Sequence, residues 1–151
     1  MEPPGEFFQS QPVEEYPARG NSPLTPETLL EKADRALVSA DTLLRGGDTD
    51  GACNRSYYAM FNAARAALIL IGAPAEVTEG KTHNGLHSAF NQYLVKPGHL
   101  PLAFGADFRR AERLRQISDY LGDPIDPDKA TETLTHAVEF VQKIKNNLVN
   151  S

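Results

Sequence analysis

The sequence predicts an all-α fold, an up-and-down antiparallel bundle of about five helices behind a disordered N-terminal tail. Three observations carry this. Beyond residue 25, apolar residues recur at spacings of three and four. The recurrences break at Gly and Pro: Gly46-Gly47, Gly72 with Pro74, Pro97-Gly98, and Gly122 with Pro124. No segment sustains the period-two alternation of a half-buried strand.

Residues 1–24 mix Pro, Gly, Glu, Gln and Ser with isolated aromatics (Phe7, Phe8, Tyr16) and have no period, which predicts a disordered tail. The bundle is expected over 25–151. Its first helix opens on Thr25 as N-cap with Pro26 in the first turn, where a missing N–H costs nothing. Leu29, Ala33, Ala36, Ala40 and Leu43 form its apolar stripe, and Gly46-Gly47 stops it. Asp48 or Asp50 is placed to cap the second helix, which is expected to run to about Ile71. Its buried side should hold Ala52, Ser56, Met60, Ala63, Ala67 and Leu70, with Tyr57, Ala64 and Leu68 beside them. A second, polar stripe on this helix carries Arg55, Tyr58, Asn62 and Arg65.

A loop with Glu76, Glu79 and Gly80 then leads to a third helix capped by Thr82, with Leu86, Phe90, Tyr93 and Leu94 as core candidates. The fourth helix spans about Phe104 to Leu121. One side carries Arg110, Leu114, Ile117 and Leu121, and another Phe108, Ala111, Arg115 and Asp119. Asp126-Pro127 repeats the cap-plus-proline signal for a fifth helix, whose stripe is Ala130, Leu134, Ala137, Val141, Ile144 and Leu148.

At 151 residues, 40% apolar and 23% charged, the chain has the balance of one globular domain. Cys53 is the only cysteine, which excludes an intrachain disulfide and fits a reducing compartment, so a cytoplasmic location is expected. The opening Met1-Glu2-Pro3-Pro4 has no signal-peptide pattern, and Ala66–Ile71, the longest apolar run, is too short to span a bilayer. A net charge of −5 argues against gripping nucleic acid by overall basicity and leaves a local basic face open.

His83 and His87 are one turn apart, but His83-Asn84-Gly85-Leu86-His87 lacks the Glu of a zinc-protease helix and no third ligand lies nearby in sequence, so neither a metal nor a cofactor is expected. The stronger signal is arginine beside tyrosine on two helices: Arg55-Ser56-Tyr57-Tyr58, and Arg115 to Tyr120 with Arg109, Arg110 and Arg113 upstream. A guanidinium is permanently charged and presents a rigid donor fork suited to phosphate, and a tyrosine stacks bases or donates its hydroxyl. The same residues also fit a structural role, with Arg115 and Asp119 as an i, i+4 ion pair or Arg55 paired with Asp119 inside the bundle.

The run Asn54-Arg55-Ser56-Tyr57-Tyr58-Ala59-Met60-Phe61-Asn62-Ala63-Ala64 resembles the second helix of HEPN domains, in the prokaryotic branch with an RxYYAxF signature. Lys81 to Leu86, Phe90 to Gly98, Arg115 to Tyr120 and Ala137 to Val141 follow in that family's order, so the resemblance covers about residues 27–149. It implies an all-helical, usually dimeric bundle. Many such proteins are ribonuclease toxins or RNA-processing factors, often encoded beside a minimal nucleotidyltransferase that neutralises them. Active members carry an Arg and, about a turn later, a His near the end of the penultimate helix, and two such motifs meet across a dimer in a metal-independent RNA-cleaving site. Here Arg115 matches the arginine, while Tyr120, preceded by Asp119, stands where the histidine is expected.

Tyrosine, with an ordinary pKa near 10, is a poor base at neutral pH. The resemblance therefore implies a toxin–antitoxin or RNA-associated protein with Arg115, Asp119 and Tyr120 at the catalytic position and Arg55, Tyr58, Asn62 and His83 as RNA- or nucleotide-binding candidates. The alternative is a non-catalytic module that dimerises and docks a minimal nucleotidyltransferase.

Overall fold

A computed structural model describes residues 24–79 and 82–149. It contains six α-helices: α1 (Pro26–Arg45), α2 (Thr49–Leu70), α3 (Ala75–Thr78), α4 (His83–Phe90), α5 (Leu102–Tyr120) and α6 (Pro127–Ile144). π-Helical turns, Asn91–Val95 and Lys145–Val149, extend α4 and α6. The described residues contain no strand. All of the expected tail except the exposed Leu24 lies outside the described residues, as does Gly80 of the expected loop. The additional helix, α3, is a single turn within that loop.

Local chemistry sets the helix limits. Thr25 Oγ1 accepts the Thr28 N–H at 3.1 Å, and Gly47, at φ 88°, takes the left-handed conformation that turns the chain back between α1 and α2. Of the two candidate caps for α2, Asp48 is the one used, accepting the Gly51 N–H at 2.8 Å. Asp50 instead accepts the Ile125 N–H at 2.9 Å, tying the segment before α6 to the start of α2. Thr82 caps α4 through the Gly85 N–H, and Asp126 accepts the Asp128 N–H at the start of α6.

α2 is the central element, in contact with α1, α4, α5 and α6. Its buried Ala52, Ala59, Ala63, Ala64, Ala66 and Ala67 let neighbouring backbones approach closely. Leu70, the last residue of the helix, departs from its expected burial and is exposed. Phe90, Phe108 and Phe140 pack together, with centroids 5.2–5.5 Å apart, and join α4, α5 and α6. The inner face of α5 is Phe108 and Ala111, and Glu112 is buried beside them.

Candidate functional site

Tyr57 is fully buried where α2, α4 and α5 converge. Its hydroxyl lies 2.7 Å from His83 Nδ1, 3.1 Å from Glu112 Oε2 and 3.4 Å from His87 Nε2. The Thr82 cap starts α4 so that His83 and His87, one turn apart, both face this oxygen, and their rings stack against Tyr57. Glu112 arrives from the inner face of α5, with its Oε1 3.4 Å from His87 Nε2.

These contacts assign the protons. Tyr57 donates to Glu112, so its oxygen is left to accept Nδ1–H of His83. His87 Nε2 lies 3.4 Å from both the Tyr57 hydroxyl and the other Glu112 oxygen. His83 Nε2 then carries the free lone pair, and it has no hydrogen-bond partner among the described residues.

Burial, followed by the charge of Glu112, pushes the Tyr57 hydroxyl far above its ordinary pKa, so it stays protonated. Burial also lowers His87 to about 4, against the opposing pull of Glu112. His83 is lowered by burial and then by the positive charge of Arg115, with Glu112 opposing. Both histidines are therefore neutral at physiological pH.

Three residues beyond Glu112, Arg115 holds its guanidinium 5.0 Å from the centroid of Tyr57 and 5.7 Å from that of Tyr58. Its Nε is out of contact with water and has no hydrogen-bond partner among the described residues. The expected ion pair with Asp119 is reduced to a 4.0 Å contact with a carboxylate that is 65% exposed. No ion pair joins Arg55 to Asp119 among the described residues. Arg55 instead lies 5.8 Å from the Tyr58 centroid, so Arg55 and Arg115 share that ring.

The structure thus brings together Arg55, Tyr58, Arg115 and His83, whose ring lies 5.9 Å from that of Tyr58. Asn62 sits off this cluster, in a groove between α1 and α2 that Arg55 also lines. Asp119 and Tyr120 face solvent, and Tyr120, 87% exposed, lines a shallow surface groove with Arg113, Gln116, Ile117 and Leu121. The residues that sequence reasoning missed are Tyr57 as a polar hub, His87 and Glu112. The available signals were the His83 and His87 pair one turn apart, weighed only as metal ligands, and a glutamate on the inner face of α5.

The HEPN domain profile matches residues 26–147, nearly all of the described bundle. The chain belongs to the HEPN domain family. A UPF0332 protein of Gloeobacter violaceus is 38% identical over 101 residues, covering 66% of this chain and 76% of that protein. A UPF0332 protein of Archaeoglobus fulgidus is 33% identical over 125 residues, covering 80% and 92%. A Methanocaldococcus jannaschii protein that bears the name putative toxin is 29% identical over 122 residues, covering 81% and 87%. Among the described residues of this HEPN bundle, no helix is long and apolar enough to cross a membrane.

Proposed function

We propose that this HEPN-domain chain is a toxin-type protein that binds RNA at the Arg115–Tyr58–His83 cluster and cleaves it without a metal. The observation that carries the reading is the Arg115 guanidinium, held over two tyrosine rings with its Nε unpartnered and with a neutral histidine beside it. Apart from the 4.0 Å contact with Asp119 the guanidinium meets no acceptor among the described residues, and its donor fork is suited to a phosphate oxygen, while Tyr58 offers a face for a base. The toxin names of two M. jannaschii relatives support the same class.

The chemistry follows from the proton assignment. His83 Nε2 takes the proton from a ribose 2′-hydroxyl. The 2′-oxygen attacks the adjacent phosphorus, and Arg115 stabilises the charge on the non-bridging oxygens. The 5′-oxygen bond breaks, and the leaving oxygen takes a proton from the His83 imidazolium or from water. The products are a 2′,3′-cyclic phosphate and a 5′-hydroxyl. Tyr57 and Glu112 act as positioning residues, fixing the His83 tautomer that leaves Nε2 free. In this reading His83 does the proton chemistry that Tyr120 is ill suited to do.

RNA binding and cleavage in the presence of EDTA test this. Arg115→Ala should weaken RNA binding about 10- to 100-fold, the scale of about 1.5–3 kcal/mol for hydrogen bonds to a charged group, while urea unfolding stays cooperative. Arg115→Lys should recover only part, because an ammonium lacks the fork. His83→Gln should abolish cleavage and spare binding, and Tyr57→Phe should lower the cleavage rate and alter its pH profile. A folded Arg115→Ala protein that binds RNA like the wild type would overturn the proposal, as would cleavage that Tyr120→Phe removes and His83→Gln does not.

The exposed Ile117, Tyr120 and Leu121 favour a second, compatible reading in which the end of α5 is an interface, either between two copies of the chain or with a minimal nucleotidyltransferase.

A further inference from the structure

The groove between α1 and α2 is lined by Lys32, Arg35, Ser39, Arg55 and Asn62 over a floor at Ala36, and has a volume of about 350 Å³. Among the described residues it carries three cations and no acidic side chain, on a chain whose net charge is −5. None of the three forms an ion pair among the described residues. The nearby Asp34 does not line the groove and is paired with Lys145, in the π-helical turn after α6, at 2.7 Å. Along α1, Lys32, Arg35 and Ser39 are spaced three and four apart and so share one face.

Arg55 connects this groove to the cluster already described. It lines the groove and also lies 5.8 Å from the centroid of the Tyr58 ring, which Arg115 approaches to 5.7 Å. The groove's cations, the Tyr58 ring and the Arg115 guanidinium are therefore neighbours, linked through Arg55. Single-stranded nucleic acid is held by this combination: positive charge tracks the backbone and a ring takes a base. A free nucleotide would fill the Tyr58–Arg115 end and leave Lys32 and Arg35 unused.

We infer that the α1–α2 groove is a second phosphate-binding site, which takes the backbone of a single-stranded RNA extending from Arg115 past Tyr58 to Lys32 and Arg35. The inference rests on the RNA-binding reading above. It assigns Lys32 and Arg35 to substrate length and strandedness and has no part for them in the chemistry.

The test compares an oligouridylate of about 12 nucleotides, within the span of single-strand sites, with the dinucleotide UpU, in a salt series on the full chain. In Lys32→Glu/Arg35→Glu the ratio of 12-mer to dinucleotide affinity should fall about tenfold or more. The slope of log affinity against log salt for the 12-mer should become shallower by about 1.4, the value for two lost phosphate contacts at about 0.7 each. Lys32→Gln/Arg35→Gln should show the same trend at smaller amplitude, which covers a failure of the charge-reversed protein to fold. An unchanged ratio and slope in folded variants would overturn the groove and leave the Arg115 reading standing if Arg115→Ala still loses both ligands. Tighter binding of a duplex than of the 12-mer would also overturn it. A wild-type protein that binds neither ligand would overturn both readings.

Discussion

Tyr57 shows how one hydroxyl organises three helices. With His83, His87 and Glu112 around it, the oxygen satisfies groups from α4 and α5 that would otherwise be buried without partners. Keeping His87 neutral has a measurable consequence. Its pKa in the folded chain is about 4, against an ordinary 6.5, so between those values the unfolded chain binds more protons than the folded one. Stability therefore falls as pH drops through that window and is insensitive to His87 above it. At about 1.36 kcal/mol per unit the full effect is roughly 3 kcal/mol. His83, also lowered, acts in the same direction. Urea unfolding of the wild type and of His87→Gln at pH 7 and pH 4.5 checks this: the wild type should lose more stability on acidification than the variant, and equal losses would refute it.

Among the elements, α6 has the clearest division of faces. Ala137, Phe140, Val141 and Ile144 are buried against α2 and α1, and Val138 is partly exposed. Val141→Asp would place an unpaired charge in this contact, and cooperative unfolding should be lost, whereas Val138→Asp should be tolerated. Circular dichroism on thermal melting distinguishes the two, and a sharp wild-type transition in Val141→Asp would show that α6 is misplaced.

The α6 stripe was legible in part: Ala130, Ala137, Val141 and Ile144 are buried as expected, but Leu134 and Leu148 are only half-buried and the buried Phe140 was not on it. The caps at Thr25, Thr82 and Asp126 were legible because such signals act within one or two turns. The polar hub was not. Tyr57 is separated by 26 residues from His83, by 30 from His87 and by 55 from Glu112, and helical periodicity carries no information across such distances. Sequence therefore placed Tyr57 on the buried side of α2 and left its partners unassigned. Arg115 and Tyr120 stand one motif apart, but five helical positions rotate Tyr120 out to solvent while Arg115 turns in over Tyr57.

At the scale of the whole molecule, the C-terminal end of α5 is a surface that the described helices leave uncovered. Ile117 is 41% exposed, Leu121 60% and Tyr120 87%, and with Arg113 and Gln116 they border an open groove of about 420 Å³. Isolated exposed apolar residues are ordinary, but three adjacent ones on a helix end form the kind of patch that pairs with another surface. In the dimer form of the interface reading proposed above, the occupant is a second copy of the chain. A two-fold pairing buries the same patch from both partners, so a substitution there acts twice. Ile117→Lys combined with Leu121→Lys should therefore convert a dimer to a monomer in sedimentation equilibrium. Both positions lie outside the packed core, so the helical content of the monomer should be retained. The thermal midpoint of the wild type should rise with protein concentration and that of the double variant should not, because association stabilises the fold by mass action. A wild-type chain that sediments as a monomer at micromolar concentration, or a double variant that remains dimeric, would remove α5 as the interface.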